Sequence, residues 1–515
     1  MTSRSMTRRD FTVAALGVAA AGSCAGRTAS AAVGRKRSAS ELADLSARDA
    51  ARHIREGAVT AESYVTALLR QYRLHRDLNV AISFHEPSVL ESARAVDRAR
   101  ARGEALGPLA GVPFIVKDQI DVAGYTTTAG TPALRHYMPS RNAVVVDTLL
   151  RSGAIVFAKA NMHELAYGVT SSNPTFGFVR NPYDPTRIPG GSSGGTAAAL
   201  AARMVPLGLG EDTGGSVRIP AGFCGVCGLR PSTWPAKRYS DAGIVPGAAP
   251  DDTQTIGPMA RSVSDVALLD AVVTQTSEAQ PLDLRGVRLG VPNEGFWADK
   301  DVDRGVAATM QAALEGLRGA GVTLVPVDLQ AVLALAAPLP FIPPDERARI
   351  AMWLKEHVPG VTLPDLIRQI ASRDVKAIFE APEPPAGSGS AQERARHRSV
   401  AVEAYRRFYR DAGIVALAFP NPLVPAPPIP AQGDSADPQI EVNGRRARTM
   451  SVVGRYTTFA PRMGAPGLTL PAGLTAGLPV GLELETLPGQ DSWLLGFALA
   501  CEQVLKPLPA PAMVR

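Results

Sequence analysis

Short, continuous apolar runs separated by amphipathic segments constrain the fold of this chain more than any other feature. Runs bounded by Gly or Pro occupy residues 111–118, 154–159 and 204–209, and further apolar runs lie between residues 464 and 484. Runs of this length without polar alternation are typical of strands buried on both faces of a sheet. We therefore predict an α/β fold with a largely buried sheet.

Amphipathic segments predict the helices that cover this sheet. Val65, Leu68, Leu69 and Tyr72 recur at helical spacing, so they share one face of a helix. The other predicted helices are residues 88–101, 144–150, 345–355 and 492–505. Alternation of such helices with apolar strands supports the α/β assignment.

The chain is long enough to bury a large core. It has 515 residues, of which 45% are hydrophobic and 20% are charged, and this composition excludes a disordered chain. Residues 330–450 differ from the rest, because they contain a low-complexity segment and a Pro-rich run. We predict that these residues form a helical and Pro-rich cap inserted into one large domain rather than a second domain.

The formal charge of +6 invites a nucleic-acid or membrane-surface interpretation. The first forty residues, however, contain seven cations and one anion, so the rest of the chain is neutral overall. The charge therefore belongs to the N-terminal segment, and we expect no nucleic-acid partner.

The N-terminal segment has the features of an export signal. The pair Arg8-Arg9 precedes an apolar stretch at residues 13–21, and Ala29-Ser30-Ala31 offers a small-x-small cleavage site. We predict that residues 1–31 are a twin-arginine-type signal read by the Tat machinery, with residues 32–515 forming the main domain. A bacterial periplasmic or secreted location follows, or a cytoplasmic one if the signal is not functional. No stretch approaches the ~20 apolar residues of a spanning helix, so stable membrane insertion is not expected.

Cysteine and histidine spacing does not support a metal site. Cys224 and Cys227 are spaced as in redox or metal motifs, but a second pair is missing. The seven histidines include no H-x-x-x-H pair. We expect neither a metal nor a cofactor, and we interpret the cysteines as small buried thiols.

Two Gly/Ser-rich segments, residues 190–195 and 212–218, carry the strongest functional signal. A P-loop requires Lys-Ser/Thr after its last Gly, and Thr196-Ala197 stands there instead. Neither segment has the G-x-G-x-x-G of a dinucleotide site. A hydrolase elbow requires Gly at the position of Arg218. What remains is a serine whose neighbouring glycines leave backbone amides accessible to an oxyanion.

Such a serine requires a base, and Lys117 is the candidate. It ends a buried apolar strand, where desolvation lowers the pKa of a lysine from about 10.4. A neutral lysine can accept a proton from a hydroxyl. Spacing alone leaves an alternative open, in which Lys117 forms an ion pair with Asp118.

These segments resemble the amidase signature family across nearly the whole chain after the signal. The residues that carry the resemblance are G-G-S-S-G-G at 190–195, D-T-G-G-S-V-R-I-P-A-G-F-C-G-V-C-G-L-R-P at 212–231 and G-V-P-F-I-V-K-D at 111–118. The resemblance implies a central mixed sheet between helices. It also implies a triad of Lys117, Ser192 after a cis peptide bond and Ser216 as nucleophile.

The resemblance implies further site residues. The oxyanion hole is formed by backbone amides of Thr213, Gly214, Gly215 and Ser216. Supporting roles fall to Gly191, Ser193, Asp212 and Arg218, for which a purely structural role is an equal alternative. His163 and Glu164 are expected to orient loops by hydrogen bonds.

The expected reaction is hydrolysis of a small-molecule amide. Residues 161–173 and 370–376 resemble mandelamide- and indoleacetamide-hydrolysing members of the family, which implies an aryl or arylalkyl primary amide as substrate, with a carboxylic acid and ammonia as products. Tyr167 and Phe176 are expected to line the acyl pocket, with a core role as the alternative. Aryl acylamides, carbamates and peptide amides remain open as substrates.

Two functions of other classes are weighed against amide hydrolysis. One is the glutaminase subunit of a tRNA-dependent amidotransferase, against which the export signal and the neutral body argue. The other is a non-catalytic binding protein, which the presence of all three triad residues disfavours. The sequence does not fix the oligomeric state, and a homodimer remains open.

Overall fold

The computed structural model describes residues 37–246, 253–339, 345–382, 390–430 and 439–514. The predicted export signal, residues 1–31, lies outside the described residues. Arg37–Arg515 form one unit. None of the described helices combines the length and apolar character needed to cross a bilayer.

The described ranges contain fifteen strands and eighteen α-helices. The strands are β1 (Ala81–Phe84), β2 (Pro113–Lys117), β3 (Ile155–Ala160), β4 (Ser172–Asn173), β5 (Gly177–Phe178), β6 (Leu207–Asp212), β7 (Cys227–Arg230), β8 (Thr255–Ala260), β9 (Arg288–Pro292), β10 (Thr323–Val327), β11 (Ala416–Pro420), β12 (Gln439–Val442), β13 (Arg445–Arg448), β14 (Gly467–Thr475) and β15 (Leu478–Glu485).

The helices are α1 (Ala39–Ala43), α2 (Ala47–Glu56), α3 (Ala61–Leu74), α4 (Glu86–Ala101), α5 (Val144–Arg151), α6 (Gly194–Ala201), α7 (Arg218–Cys224), α8 (Val263–Thr274), α9 (Glu294–Trp297), α10 (Arg304–Gly319), α11 (Leu329–Ala336), α12 (Glu346–His357), α13 (Leu363–Gln369), α14 (Arg373–Glu380), α15 (Ala391–Ala412), α16 (Thr449–Val453), α17 (Phe459–Met463) and α18 (Asp491–Leu505). Short 3-10 helices lie at Arg76–Leu78, Pro132–Leu134, Glu164–Ala166 and Ala512–Val514.

Eleven of the strands form one mixed sheet, flanked by helices, as predicted. Its strand order is β1-β3-β2-β6-β8-β7-β14-β15-β11-β9-β10, and β4–β5 and β12–β13 form separate two-stranded sheets. The pairs β2–β3, β2–β6, β9–β10 and β9–β11 are parallel, and the other pairs in the large sheet are antiparallel. The strands β2, β6, β7, β8 and β15 are buried along their whole length, which explains why most of their residues are apolar or glycine.

The predicted helices and most predicted strands are confirmed within a few residues. The strand predicted at residues 204–209 begins only at Leu207 and continues to Asp212. Pro206 explains the late start, because proline has no N–H to donate to a sheet ladder.

The predicted cap is too wide. Helices α11 to α15 lie within residues 330–450 or at their border, but β11 is a buried strand of the large sheet between β15 and β9. This strand was not predicted from the sequence because it overlaps the Pro-rich run that starts at Phe419. Only four residues of the strand precede Pro420. The insertion is therefore interrupted by a strand that belongs to the core, and we restrict the name cap to helices α12 to α14.

The last two residues of the first Gly/Ser-rich segment, Gly194 and Gly195, form the buried first turn of α6. All eight residues of α6 are buried. A Cβ on Gly195 would lie 2.3 Å from the carbonyl oxygen of Asn161, so glycine permits the close approach of α6 to the loop after β3. This contact fixes the loop that carries Ser192.

Candidate active site

Lys117 and Glu211 meet at the carboxyl ends of β2 and β6 because these neighbouring strands run parallel. Val116 of β2 lies opposite Leu209 of β6, so both strands end beside each other. The amine Nζ of Lys117 lies 2.8 Å from Oε2 of Glu211, and both side chains are fully buried. The same amine donates to the Glu211 carbonyl oxygen at 3.3 Å. The carboxyl ends of two parallel strands thus place an amine and a carboxyl group in direct contact.

The third partner of Lys117 is Ser192. Nζ of Lys117 lies 2.7 Å from Oγ of Ser192, whose side chain is also buried. The peptide bond between Gly191 and Ser192 is cis, as the resemblance implied. Burial lowers the pKa of Lys117, and the negative charge of Glu211 opposes that shift in part. The lysine that the sequence predicts as a base is therefore in contact with a hydroxyl through which a proton can pass.

The alternative pairing of Lys117 with Asp118 is wrong. Oδ1 of Asp118 lies 3.5 Å from Nζ of Lys159 on β3, and its Oδ2 accepts a hydrogen bond from the amide of Thr128 at 2.9 Å. Consecutive residues of an extended chain point to opposite sides, which directs the two side chains to different partners.

Ser193 links the Ser192 loop to β6 and to Ser216. Its amide donates to the carbonyl oxygen of Ser216 at 3.1 Å. Its hydroxyl Oγ donates to the carbonyl oxygen of Glu211 at 3.3 Å and accepts from the Glu211 amide at 3.3 Å. These bonds hold Ser192 and Ser216 on adjoining segments. Ser216 retains 8% of its surface, whereas Lys117 and Ser192 are completely enclosed, so the predicted nucleophile is the member of the three that reaches solvent.

Asp212 shapes the loop that leads to Ser216. Its carboxylate accepts hydrogen bonds from the amides of Gly215 at 2.9 Å and Val217 at 3.1 Å. Gly215 has a φ of +108°, a region that favours glycine. The amide of Gly215 is thus already engaged within the loop. Among the described residues, none accepts a hydrogen bond from the amides of Thr213, Gly214 or Ser216.

Arg218 anchors the same loop to β15 of the large sheet. Its guanidinium contacts Asp212 at 3.0 Å, Glu483 at 2.7 Å and Glu485 at 3.1 Å, with all four side chains buried. It also donates to the carbonyl oxygen of Thr457 at 2.6 Å. Burial alone would raise the pKa of Asp212, but the charges of Arg218 and Arg230 outweigh it and bring that pKa to about 2. Asp212 and Arg218 therefore form part of a buried ionic network.

Comparisons with known proteins decide the family. Residues 63–495 match the Amidase family. The chain belongs to the amidase family. It is similar to the mandelamide hydrolase of Pseudomonas putida, with 34% identity over 91% of this chain and 93% of that protein. It is also similar to an indoleacetamide hydrolase of Agrobacterium vitis, with 35% identity over 86% of this chain and 93% of that protein.

The fold agrees with this assignment. The structure of a peptide amidase from Stenotrophomonas maltophilia superposes with a TM-score of 0.77 at 27% identity, over 92% of this chain and 99% of that one. The protein is therefore an amide hydrolase, and the predicted family and reaction class are confirmed.

Three residues around the amidase site escaped the sequence prediction. Glu211 contacts Lys117, Thr457 donates from Oγ1 to the Gly214 carbonyl oxygen at 2.6 Å, and Glu483 binds Arg218. Glu211 leaves a signal in the sequence, since it adds a second carboxylate at the end of an otherwise uncharged strand. Thr457 leaves none, because its position depends on a contact between distant segments.

The loop after β3 contacts the cap through the hydrogen bonds expected of Glu164 and through a close approach of His163. The Glu164 carboxylate accepts hydrogen bonds from the amides of Ala371 at 3.1 Å and Ser372 at 2.7 Å, at the start of α14. Nε2 of the buried His163 lies 3.2 Å from Oδ2 of Asp374 in the same helix. Both side chains therefore tie the enzyme's cap to the loop that adjoins Ser192.

The two predicted pocket aromatics lie in different surroundings. Tyr167 donates to Oε1 of Glu346 at 3.0 Å, and its ring packs edge-on against Phe379 with centroids 5.1 Å apart. Phe176 lies in the turn between β4 and β5, where its backbone bonds to Asn79 and Asn173. Tyr167 is thus a contact between loop and cap, and the pocket role of both residues stays a prediction.

The three cysteines that follow residue 31 are buried thiols, as predicted. Cys224, Cys227 and Cys501 are free, and burial raises the pKa of each thiol. Within the described ranges, no group of three or more His, Cys, Asp or Glu side chains is arranged to hold a metal ion.

Proposed function

We propose that this enzyme hydrolyses an aryl or arylalkyl primary amide through an acyl-enzyme on Ser216, with Lys117 and Ser192 as the proton relay. The contact that carries the proposal is the 2.7 Å distance between Nζ of Lys117 and Oγ of Ser192. The bond from the Ser193 amide to the Ser216 carbonyl oxygen supports it, because it ties the relay to the nucleophile.

The acylation step follows from this arrangement. The neutral Lys117 amine accepts the Ser192 proton while Ser192 accepts the proton of Ser216, whose oxygen then attacks the amide carbonyl. The negative charge on the carbonyl oxygen is met by amides of the loop from Thr213 to Ser216. Gly215 donates its amide to Asp212, so the oxyanion hole rests on the other three predicted donors.

The leaving group and the water complete the cycle. Lys117 returns its proton through Ser192 to the amide nitrogen, the C–N bond breaks, and ammonia departs. Water then loses a proton to the same relay and attacks the ester carbonyl, the bond to Oγ of Ser216 breaks, and the relay returns the proton to that oxygen as the carboxylic acid leaves.

The substrate class is supported by the relatives and by the cap. The two relatives are named for mandelamide and indoleacetamide, each a primary amide of an aromatic acid. The Tyr167–Phe379 contact places aromatic rings where the loop after β3 meets the cap. We assign Tyr167 to the acyl pocket on that basis, and Phe176 remains a weaker candidate.

An amide panel tests the proposal. Ammonia or amine release is measured from mandelamide, indole-3-acetamide, acetanilide, an aryl carbamate and a peptide amide at equal concentrations. The two aromatic primary amides are expected to give the highest kcat/KM. Preference for the anilide, carbamate or peptide amide would reassign the substrate, and release from none of the five would contradict the proposal.

We also propose that residues 1–31 direct the enzyme out of the bacterial cytoplasm. The support is the order of Arg8-Arg9, the apolar stretch and Ala29-Ser30-Ala31. Expression of the full chain in a bacterium, followed by fractionation and intact mass measurement, is expected to find a shortened protein in the periplasm. Replacement of both arginines by lysine is the control and should retain the full-length protein in the cytoplasm. Export that survives this replacement would contradict the signal assignment.

A further inference from the structure

Glu211 gives the base of the proposed triad a negatively charged partner. Its Oε2 lies 2.8 Å from Nζ of Lys117, and its Oε1 accepts a hydrogen bond from Oγ1 of Thr213 at 2.5 Å. We propose that Glu211 is a positioning residue that holds the Lys117 amine against Ser192 and sets the proton affinity of that amine. This inference rests on the proposed triad.

The contacts of Lys117 explain the positioning role. A lysine side chain has four rotatable bonds and a compact head group, so a single hydrogen bond to Ser192 leaves its direction poorly defined. Glu211 adds contacts through both its carboxylate and its carbonyl oxygen, at 2.8 and 3.3 Å. The carboxylate is itself fixed by Thr213. Together these contacts aim the amine at Oγ of Ser192.

The charge of Glu211 explains the second role. Complete burial lowers the pKa of Lys117, and documented buried lysines reach values of about 5–6. So weak a base accepts a serine proton poorly, because general-base catalysis works best with a pKa near the operating pH. A carboxylate in contact stabilises the protonated amine and so raises the pKa of Lys117. Glu211 thereby keeps a fully enclosed lysine basic enough to act.

Other charges near the pair act from a greater distance. Asp212, the next residue of β6, also raises the pKa of Lys117, but it ranks after Glu211 and is bound to Arg218. Arg230 on β7 interacts electrostatically with Glu211. On the neighbouring strand β8, Ile256 lies opposite Glu211 and carries no charge. Glu211 is thus the described carboxylate that touches the Lys117 amine.

The neutral variants Glu211→Gln and Glu211→Thr test the inference. Glutamine keeps the size of the side chain, and threonine suits a strand, so that two independent neutral replacements are available. In both, the acid limb of the kcat/KM profile is expected to move to lower pH by about 1–3 units, because the protonated amine has lost its counter-charge. A midpoint equal to that of the wild type in either folded variant would overturn the inference.

Glu502→Gln provides the matched control. Glu502 is a partly buried carboxylate on α18 that accepts a hydrogen bond from the Val263 amide at 2.7 Å, so the same chemical change there is expected to leave the midpoint where it is. A purely structural role for Glu211 would lower the melting temperature without moving the midpoint. Suppose that Ser216→Ala loses hydrolysis while the acid limb of the kcat/KM profile keeps its midpoint in Glu211→Gln. That result would contradict the role of Glu211 alone and would leave the proposed function supported.

Discussion

The amine of Lys117 lies 2.7 Å from the hydroxyl of Ser192, and both side chains are fully enclosed by protein. A lysine so placed is not a surface charge, because its amine faces a serine hydroxyl rather than water. Ser216, reached through the backbone bond from Ser193, keeps access to solvent. The arrangement separates the proposed proton acceptor from the side that a substrate must approach.

Replacement of Lys117 by methionine removes the amine but keeps an unbranched buried side chain. We expect kcat/KM for the preferred amide to fall by roughly 10²–10⁴-fold, the usual contribution of a positioned general base. Steady-state kinetics on folded protein, verified by circular dichroism, provide the measurement. A folded methionine variant with wild-type kcat/KM would show that another group accepts the proton.

Activity should depend on a single ionisation on the acid side of the pH profile. Burial lowers the pKa of Lys117. The amine therefore becomes neutral at a lower pH than an exposed lysine, whose pKa is about 10.4. Below the lysine pKa the amine is protonated and cannot act as a base, so kcat/KM should fall tenfold for each unit of pH. Rates measured from about pH 5 to pH 10 test this expectation. A flat acid limb would count against a lysine base.

The ionic network around Arg218 should stabilise the fold as well as the loop. Arg218→Met leaves Glu483 without its buried cation and Asp212 with Arg230 alone, and loss of one partner of a buried pair costs about 3–5 kcal/mol. Urea unfolding should report that loss in the free energy of unfolding. Arg285→Met is the comparison, since the Arg285–Asp283 pair is exposed and should contribute nothing measurable. Equal effects of the two changes would contradict the assigned role of the network.

Glu164 should control the mobility of the cap. In Glu164→Ala the amides of Ala371 and Ser372 lose their acceptor at the start of α14. Loss of such a capping contact costs about 1–2 kcal/mol, which corresponds to roughly 5–30-fold faster opening. Hydrogen exchange of residues 371–380 should accelerate accordingly, and KM should rise more than kcat falls. Unchanged exchange in α14 would show that other contacts hold the cap.

Local sequence signals were sufficient for five helices and for several buried strands of the large sheet, whereas the three proposed catalytic residues were named from the resemblance to the amidase signature family. The apolar run of β2 ends at Lys117, in the candidate active site. The glycines of residues 190–195 indicate that the backbone there lies close to neighbouring segments. The partner of Lys117 was not predictable in the same way. Which side chain faces the amine depends on the register of β2 against β6, and register is fixed by the packing of the whole sheet.

The cap shows the same limit. Residues 330–450 have the composition of an insertion, yet β11 within them completes the large sheet. A strand of five residues that ends in proline gives little local signal, and its place between β15 and β9 is decided by long-range pairing. The contact between His163 and Asp374 likewise joins residues that are far apart in the chain.

Hydrolysis by Ser216→Ala tests the account most directly. Ammonia release from the preferred aromatic amide is compared for the wild type, Ser216→Ala and Ser172→Ala, where Ser172 is a buried serine in β4 whose hydroxyl has no hydrogen-bond partner among the described residues. We predict that Ser216→Ala falls to the uncatalysed background while Ser172→Ala keeps most of the wild-type rate. Substantial hydrolysis by folded Ser216→Ala would contradict the assignment of Ser216 as the nucleophile.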